Sequence, residues 1–490
     1  MALLPSPQPS WDPTPSRLGI DDPIGLRSMW GPSMLGSRPC DLRPVHRRGA
    51  CMKQPAWLTA LMLMALALGL FCLCGAAPGA ASAPALVATE IDHQLLARAR
   101  RMHERVLVLD THVDIAGPQY ATDQLDPGVD NPRLRCDLVK MAAGGVDGVF
   151  LAVYVGQGRR DAAGYRQALD RATGKFRAIH RLAERYPDRC ALATSPDDVC
   201  RIVASGKRAI MIGVENGYPM GEDLGLVDRF YQRGARYVTL CHNGHNQLCD
   251  SCSPRPDLGD GPREHGGLSP LGRKAVQRMN RLGMMVDVSH LAESSFWDVL
   301  ECSQAPVIAS HSGCRALCDH PRNLSDRQLK ALAARGGVIH VVAVGAFLRS
   351  GLGKRRQAIR QLAERLGIPW GHGEAHLDEA SAEQKAAFSA ALAEIDRRYP
   401  LPSLRDFVDH VDHAVRIAGI EHVGIGSDLD GGGGVIGFEH HGQAHRVTAE
   451  LLRRGYTEDQ IALIWGGNLL RLWQQVEAAA EARKLPAGTP

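Results

Sequence analysis

The stretch RVLVLDTHVD, residues 105–114, sets four apolar residues directly before three side chains that can carry charge. Residues 106–109 have the composition of a buried strand, because short runs of Val and Leu fill the centres of parallel sheets. Asp110, His112 and Asp114 then follow within five residues. We therefore expect a buried strand that ends in a polar functional site.

The same combination recurs along the chain. Short apolar, β-branched runs alternate with longer amphipathic segments such as 269–282 and 326–334, and two more predicted helices, 355–368 and 382–399, fill a long gap before the last run. The eight predicted strands begin at residues 106, 149, 209, 237, 284, 306, 337 and 422. Eight strand–helix units predict an α/β fold, a (β/α)8 TIM-like barrel with helical insertions.

The composition is that of a large globular protein. Of 490 residues, 44% are hydrophobic and 22% are charged, which is enough to bury a large core. The formal net charge is only +4, and the Lys and Arg residues are spread along the chain instead of clustered. We therefore expect no nucleic-acid partner.

The N-terminus has the pattern of an export signal. An apolar run over residues 57–74 follows one basic residue, and small residues then permit cleavage near Ala81 or Ala83. If it stays uncleaved, this run is long enough to anchor the chain in a membrane. We expect an exported protein, periplasmic or secreted. The chain divides into an upstream extension that is disordered or wrongly assigned, a signal peptide or anchor, and one barrel domain: residues 1–51, 52–84 and 90–480.

Nine of the thirteen cysteines lie beyond residue 85. Cys249 and Cys252 form a C-x-x-C pair in a loop rich in Gly and Pro. A zinc knuckle needs a second such pair, and the sequence has none. We therefore expect a disulfide or free thiols at this pair.

Metal-competent side chains stand at the ends of six of the predicted strands. In a closed barrel these ends converge on one mouth, where active sites of this fold lie. Each residue alone is more often a core histidine or a helix cap, but so many buried ionisable groups are costly without a counter-ion. Imidazole and carboxylate are ligands of zinc, and this set suffices for two ions. The residues are His112, Asp114, Glu215, His242, His290, His311 and Asp428.

Six motifs at these positions resemble those of the membrane (renal-type) dipeptidases, zinc hydrolases of the amidohydrolase superfamily. The resemblance runs from about residue 100 to about residue 475, and the longest of the motifs is the most specific. The motifs are DTHVD, GVENG, TLCHN, GMMVDVSH, VIASHSGCRALCDHPRNLSD and GIGSDLDG.

The resemblance implies a Zn²⁺ cofactor with two ions per chain and small dipeptides as substrates. His112 and Asp114 would hold one ion, His290 and His311 the other, and Glu215 would bridge them. A hydroxide that bridges the metals would attack the peptide bond.

Three further roles follow from the same resemblance. His242 would contact the substrate carbonyl or the tetrahedral intermediate, and Arg322 would pair with the terminal carboxylate. Asp428 would pass the proton to the leaving amine. Many relatives carry Asn and Tyr where this chain has Val342 and Val344, so the resemblance leaves the preferred dipeptides open.

Two other readings remain open at this point. The first is another amidohydrolase-type barrel that acts on a cyclic amide, lactone or phosphoester; such barrels often bridge their metals with a modified Lys, and here the third strand offers Glu215 with no Lys beside it. The second is an inactive binding protein of the cell envelope, which we would expect to lack Asp428 or a ligand. The sequence also leaves a homodimer open.

Overall fold

The structure, a computed structural model, describes residues 92–371, 374–377 and 380–482. The predicted segments 1–51 and 52–84 lie outside these residues. No helix among the described residues is long and apolar enough to cross a membrane.

Eight parallel strands form a nearly closed barrel in the order β1-β2-β4-β5-β6-β7-β8-β11. The short strand β3 lies outside this order and pairs with the first residues of β4. A separate hairpin joins β9 and β10. The strands are β1 (Leu109–Asp114), β2 (Gly148–Tyr154), β3 (Cys190–Leu192), β4 (Arg208–Glu215), β5 (Ala235–Thr239), β6 (Met285–Asp287), β7 (Ile308–Ser312), β8 (Val338–Val341), β9 (Trp370–Gly371), β10 (Glu374–Ala375) and β11 (Val423–Ile425). The predicted (β/α)8 fold is confirmed.

Helices follow the barrel strands, and each predicted helix is present. The Ser269 hydroxyl caps the first turn of α6, and Ser325 forms a capping box with Gln328 in α8. The helices are α1 (His93–His103), α2 (Leu138–Gly144), α3 (Ala162–Arg185), α4 (Pro196–Ala204), α5 (Gly225–Gln232), α6 (Pro270–Leu282), α7 (Glu293–Cys302), α8 (Asp326–Ala334), α9 (Gly345–Leu348), α10 (Leu352–Arg365), α11 (Ala382–Arg398), α12 (Leu404–Ala418), α13 (Ala444–Arg453), α14 (Glu458–Ala462) and α15 (Asn468–Glu481).

The first strand begins later than the sequence predicts. We expected a strand over 106–109 with the polar residues after it, but β1 runs from Leu109 to Asp114 and contains them. Its backbone pairs with β2 up to Asp114, with a shift in register between Asp110 and Val113. His112 and Asp114 therefore lie on a paired strand, which holds them more firmly than a loop would.

The two ends of the sheet meet at the segment after β11. The amide of Asp114 donates to the carbonyl of Leu429 at 3.0 Å, and the amide of Asp428 donates to the carbonyl of His112 at 2.9 Å. These bonds tie the motif of the first strand to the motif of the last. Polar groups that lie more than 300 positions apart in the chain thus become neighbours.

Aromatic and aliphatic side chains fill the barrel. Phe150 packs against Tyr237 with ring centroids 5.1 Å apart and against Trp473 of α15 at 5.7 Å. All three side chains are fully buried. The interior is therefore a packed core and not a pore, as in other barrels of this kind.

A long segment, residues 345–403, separates β8 from α12 and is called the β8–α12 insertion below. Its helices α10 and α11 pack on each other and enclose a small apolar cluster of their own. The buried members of this cluster are Leu362, Ala363, Ile368, Ala380 and Phe388. The insertion follows the C-terminal end of a barrel strand, the face at which the predicted site lies.

The C-x-x-C pair is not a disulfide. Cys249 and Cys252 are both free thiols. Of the two outcomes that the sequence left open, the structure gives the free thiols.

Candidate active site

Glu215, the last residue of β4, is the centre of the predicted site. Its Oε2 lies 3.4 Å from His112 Nε2. Its Oε1 lies 3.2 Å from His290 Nε2 and 3.4 Å from His311 Nε2. Each oxygen of one carboxylate thus faces a different imidazole or pair of imidazoles, and a bridging ligand requires two oxygens that are engaged separately in this way.

The remaining predicted residues surround this centre. His242 Nε2 lies 3.7 Å from Glu215 Oε1, and Asp428 Oδ1 lies 4.0 Å from His112 Nε2. Three overlapping groups each bring their ligand atoms within 4.8 Å of one another. They are His112 with Glu215 and His311, Glu215 with His242 and His290, and His112 with Asp114 and Asp428.

The residues fit a metal because several of their buried donor atoms lack a hydrogen-bond partner. His112 Nε2 and Asp114 Oδ1 are buried and have no hydrogen-bond partner in the described part of the chain. His290 Nε2 and His311 Nε2 lie 3.0 Å apart, so two neutral imidazoles would set their lone pairs against each other unless a proton or a cation lay between them. Buried polar atoms are rarely left unpaired, so a bound cation accounts for the arrangement.

Glu215 and His112 form a charged pair, whereas His290 and His311 are neutral imidazoles. Burial alone would raise the pKa of Glu215, but the charge on His112 and hydrogen bonds from the imidazoles hold it well below the usual value. Burial opposes the charge of His112, yet Glu215 raises its pKa to about 10. Burial lowers the pKa of both His290 and His311 well below the usual value, so both keep a lone pair for a metal.

A tyrosine that the sequence analysis missed orients His112. The Nδ1 of His112 lies 2.8 Å from the hydroxyl of Tyr237, and that hydroxyl donates its own proton to the carbonyl of Thr111 at 3.2 Å. Nδ1 must then be the donor to Tyr237, so Nε2 is the nitrogen that faces Glu215 and becomes available to a metal once its proton leaves.

His311 is oriented in the same way. Its Nδ1 lies 2.8 Å from the hydroxyl of Ser310, which donates to Asp287 Oδ2 at 2.6 Å. Nε2 of His311 is again left with its lone pair facing the site. Tyr237 and Asp287 look like ordinary strand residues in the sequence, because only closure of the barrel brings them to the ligands.

Strained backbone carries two of the predicted residues. His290 has φ 69° and Asp428 has φ 59°, in the left-handed region that favours glycine. Gly431 is required behind Asp428, since a Cβ there would lie 2.2 Å from both Asp114 Oδ2 and Asp428 Oδ1. Such strain persists where the surrounding structure enforces it, and it gathers at functional sites.

Asp110 positions its neighbours and faces away from the ligand cluster. Its Oδ1 accepts from the amides of His112 at 3.1 Å and Ser427 at 2.9 Å. Its Oδ2 lies 2.8 Å from Nε2 of His441. One buried carboxylate therefore locks the first strand to the loop that carries Asp428.

Burial raises the pKa of Asp428 well above the usual value for a carboxyl group. His112 opposes this rise, whereas the charges on Asp114 and Glu215 add to it. Burial raises the pKa of Asp114 as well, to about 7. A carboxyl group with a raised pKa holds a proton more readily and can return it during the reaction.

Arg322, in the loop after β7, is a buried cation with unused donors. It is 4% exposed, and its Nη2 donates to the carbonyl of His311 at 3.0 Å. Its Nε and Nη1 are buried and have no hydrogen-bond partner among the described residues. A buried guanidinium in this state is suited to an anionic group of a substrate.

Lys175 is a second residue that the sequence analysis missed. It projects from α3, and its Nζ lies 4.0 Å from Asp114 Oδ1 and 5.2 Å from the ring centroid of Tyr154. The Tyr154 ring in turn packs on His242 with centroids 4.6 Å apart. On an amphipathic helix, one lysine gives no signal that separates it from the solvent-exposed ones.

An eight-stranded parallel barrel with buried imidazoles and carboxylates gathered at the C-terminal ends of its strands defines a barrel metallohydrolase. Comparison with known proteins narrows this class. The family described as Membrane dipeptidase (Peptidase family M19) matches residues 96–487.

Relatives and solved structures agree with this match. Dipeptidase verJ of Clonostachys rogersoniana is 32% identical over 406 residues, which cover 79% of this chain and 89% of that protein. Dipeptidase tcpJ of Claviceps purpurea (strain 20.1) is 32% identical over 353 residues, 71% of each chain. The crystal structure of the probable dipeptidase PvdM from Pseudomonas aeruginosa is 33% identical, with a TM-score of 0.69 over 79% of this chain and 100% of that one.

The chain therefore belongs to the membrane dipeptidase family, peptidase family M19. It is a metal-dependent dipeptidase, an enzyme that hydrolyses the peptide bond of dipeptides. The family and the activity that the sequence motifs imply are confirmed, and the readings as another barrel hydrolase or an inactive binding protein fall away.

Proposed function

We propose that the enzyme works with two zinc ions held at the mouth of the barrel. His112 and Asp114 hold one ion, His290 and His311 hold the other, and Glu215 serves both. The observation that carries this proposal is the position of Glu215: its Oε2 faces His112, and its Oε1 faces the neutral imidazoles of His290 and His311.

When bound, two zinc ions supply the Lewis acidity that makes water nucleophilic at neutral pH. The residues of the chain supply the rest of the reaction. Asp428 takes the proton of the attacking water and delivers it to the leaving amine, as its raised pKa and its place beside His112 permit. Burial lowers the pKa of His242 to about 4, so it meets the substrate carbonyl or the tetrahedral intermediate as a neutral imidazole.

Arg322 selects substrates that end in a free carboxylate. Its unpaired Nε and Nη1 would receive hydrogen-bond partners from that group, which removes the cost of leaving them bare. Val342 is fully buried, and the side chain of Val344 has no hydrogen-bond donor. The segment after the seventh barrel strand therefore offers the substrate no hydrogen bond like that of a Tyr hydroxyl. Small dipeptides with an unblocked C-terminus are the expected substrates.

A single preparation tests this proposal. The protein from residue 85 onward, purified after growth with ample zinc, is analysed for metal content and tested on a small panel of dipeptides that includes D-residues at the second position. We expect two zinc ions per chain and hydrolysis that stops when a chelator removes them. Hydrolysis that persists in the metal-free protein would refute the proposed zinc chemistry.

We further propose that the protein is exported, on the strength of the apolar run at residues 57–74 and the small residues after it. N-terminal sequencing of the protein from its native host should find a mature end near Ala81 or Ala83. A mature protein that retains residues 57–74 and sediments with membranes would indicate an anchor instead.

A further inference from the structure

We infer that Phe347, at the start of the β8–α12 insertion, is a positioning residue that holds the guanidinium of Arg322 ready for the terminal carboxylate of the substrate. The inference rests on the proposed role of Arg322 and adds a residue on a different loop. It also gives the insertion a part in substrate selection.

The guanidinium of Arg322 is held from two sides. Its Cζ lies 5.2 Å from the centroid of the Phe347 ring, within the range of a cation–π contact. On another side, Nη2 donates to the carbonyl of His311. An arginine side chain has many rotamers, so a group that must meet a carboxylate in one orientation gains from a second anchor.

The ring of Phe347 is itself tied to the loop that carries Arg322. The backbone carbonyl of Phe347 accepts a hydrogen bond of 2.7 Å from Nδ2 of Asn323, the residue directly after Arg322, and Asn323 is fully buried. The ring also packs against His320 with centroids 4.6 Å apart. The insertion and the β7–α8 loop therefore hold each other in place around the arginine.

Among the described residues, the guanidinium of Arg322 has one hydrogen-bond partner, the carbonyl of His311. Its orientation therefore also depends on the ring of Phe347. An aromatic ring that fixes the guanidinium lowers the entropic cost of that recognition without forming a bond to the substrate.

The test compares a dipeptide with its C-terminal amide. KM and kcat are measured for both substrates on zinc-loaded wild type, Phe347→Leu, Phe347→Trp and Arg322→Ala. The matched control is Phe388→Leu, because Phe388 is also an aromatic residue of the insertion but lies in its separate apolar cluster.

We expect Phe347→Leu to raise KM for the dipeptide by about 3- to 10-fold, the scale of one partly buried cation–π contact, with kcat almost unchanged. KM for the amide should not change, so the preference for the free carboxylate shrinks by the same factor. Phe347→Trp retains an aromatic face and should keep the wild-type preference. Phe388→Leu should also keep it.

Two results would overturn the inference alone: an unchanged KM in Phe347→Leu, or an equal rise in Phe388→Leu, which would point to a loosened insertion. If wild type shows no preference for the free carboxylate, or Arg322→Ala retains that preference, the proposed role of Arg322 fails first and the inference fails with it.

Discussion

The barrel mouth and the β8–α12 insertion are built on different principles. At the mouth, strand pairing and buried carboxylates such as Asp110 and Asp287 fix each side chain, and the backbone is strained at His290 and Asp428. The described residues of the insertion add no strand to the barrel and pack around a small apolar cluster. The predicted catalytic residues therefore lie at the ends of barrel strands and in the buried turns after them. The insertion contacts this site at its edge, where the ring of Phe347 lies over the guanidinium of Arg322.

The largest expected effect comes from Asp428→Asn at the mouth. Asn has nearly the same shape but cannot take up and release a proton, so kcat should fall by roughly 10² to 10⁴ while metal content and fold remain. Because burial raises the pKa of Asp428, its base form is lost as the pH falls, and the acidic limb of the wild-type pH–rate profile should disappear in the variant. More than about a tenth of wild-type turnover would lie outside the range for general acid–base groups and would mean that the proton takes another path.

Arg322→Ala should have the next largest effect. Loss of the guanidinium would lower kcat/KM by a factor that corresponds to roughly 2 to 4 kcal/mol of lost transition-state stabilisation. This is the scale for leaving a charged group of the substrate without a partner in a dry site. Blocking the substrate as a C-terminal amide should cost the wild type a similar amount and the variant little. If amidation costs both proteins equally, Arg322 does not touch the carboxylate.

The smallest effect on catalysis is expected from Phe388→Ala in the insertion. The substitution removes the largest side chain of that cluster and should weaken local packing by about 3 to 5 kcal/mol. Hydrogen exchange should then speed up within residues 352–398, while kcat for a good dipeptide stays within about twofold, since the strands of the barrel are not involved. A collapse of kcat would show that the insertion and the mouth are one cooperative unit.

The sequence predicted the mouth well because strand ends carry its residues. Once eight strands were recognised, closure of the barrel brought His112, Glu215, His290 and His311 together without any further information. The start of β1 was predicted wrongly from the same local patterns. Val106 and Leu107 are as apolar as the residues of a buried strand, but they precede the first residue that pairs with β2. The sequence did not predict β3, a three-residue strand that pairs with β4 and lies outside the order of the barrel strands.

Residues that act across elements were beyond the reach of the sequence. The hydroxyl of Tyr237 contacts His112 across the barrel interior, from a strand three positions away in the sheet order. Lys175 comes from a helix, and Phe347 from the start of the insertion. Their roles depend on tertiary contacts, and no local pattern of polarity or spacing encodes these contacts.

The measurement that tests the account most directly is the zinc content of wild type and Glu215→Gln, prepared side by side with ample zinc. The two oxygens of Glu215 face both halves of the proposed site. The account predicts two ions per chain in wild type and a loss from both positions in the variant, because a neutral amide cannot bridge as a carboxylate does. One ion or fewer in wild type, or a loss confined to one position in Glu215→Gln, would contradict it.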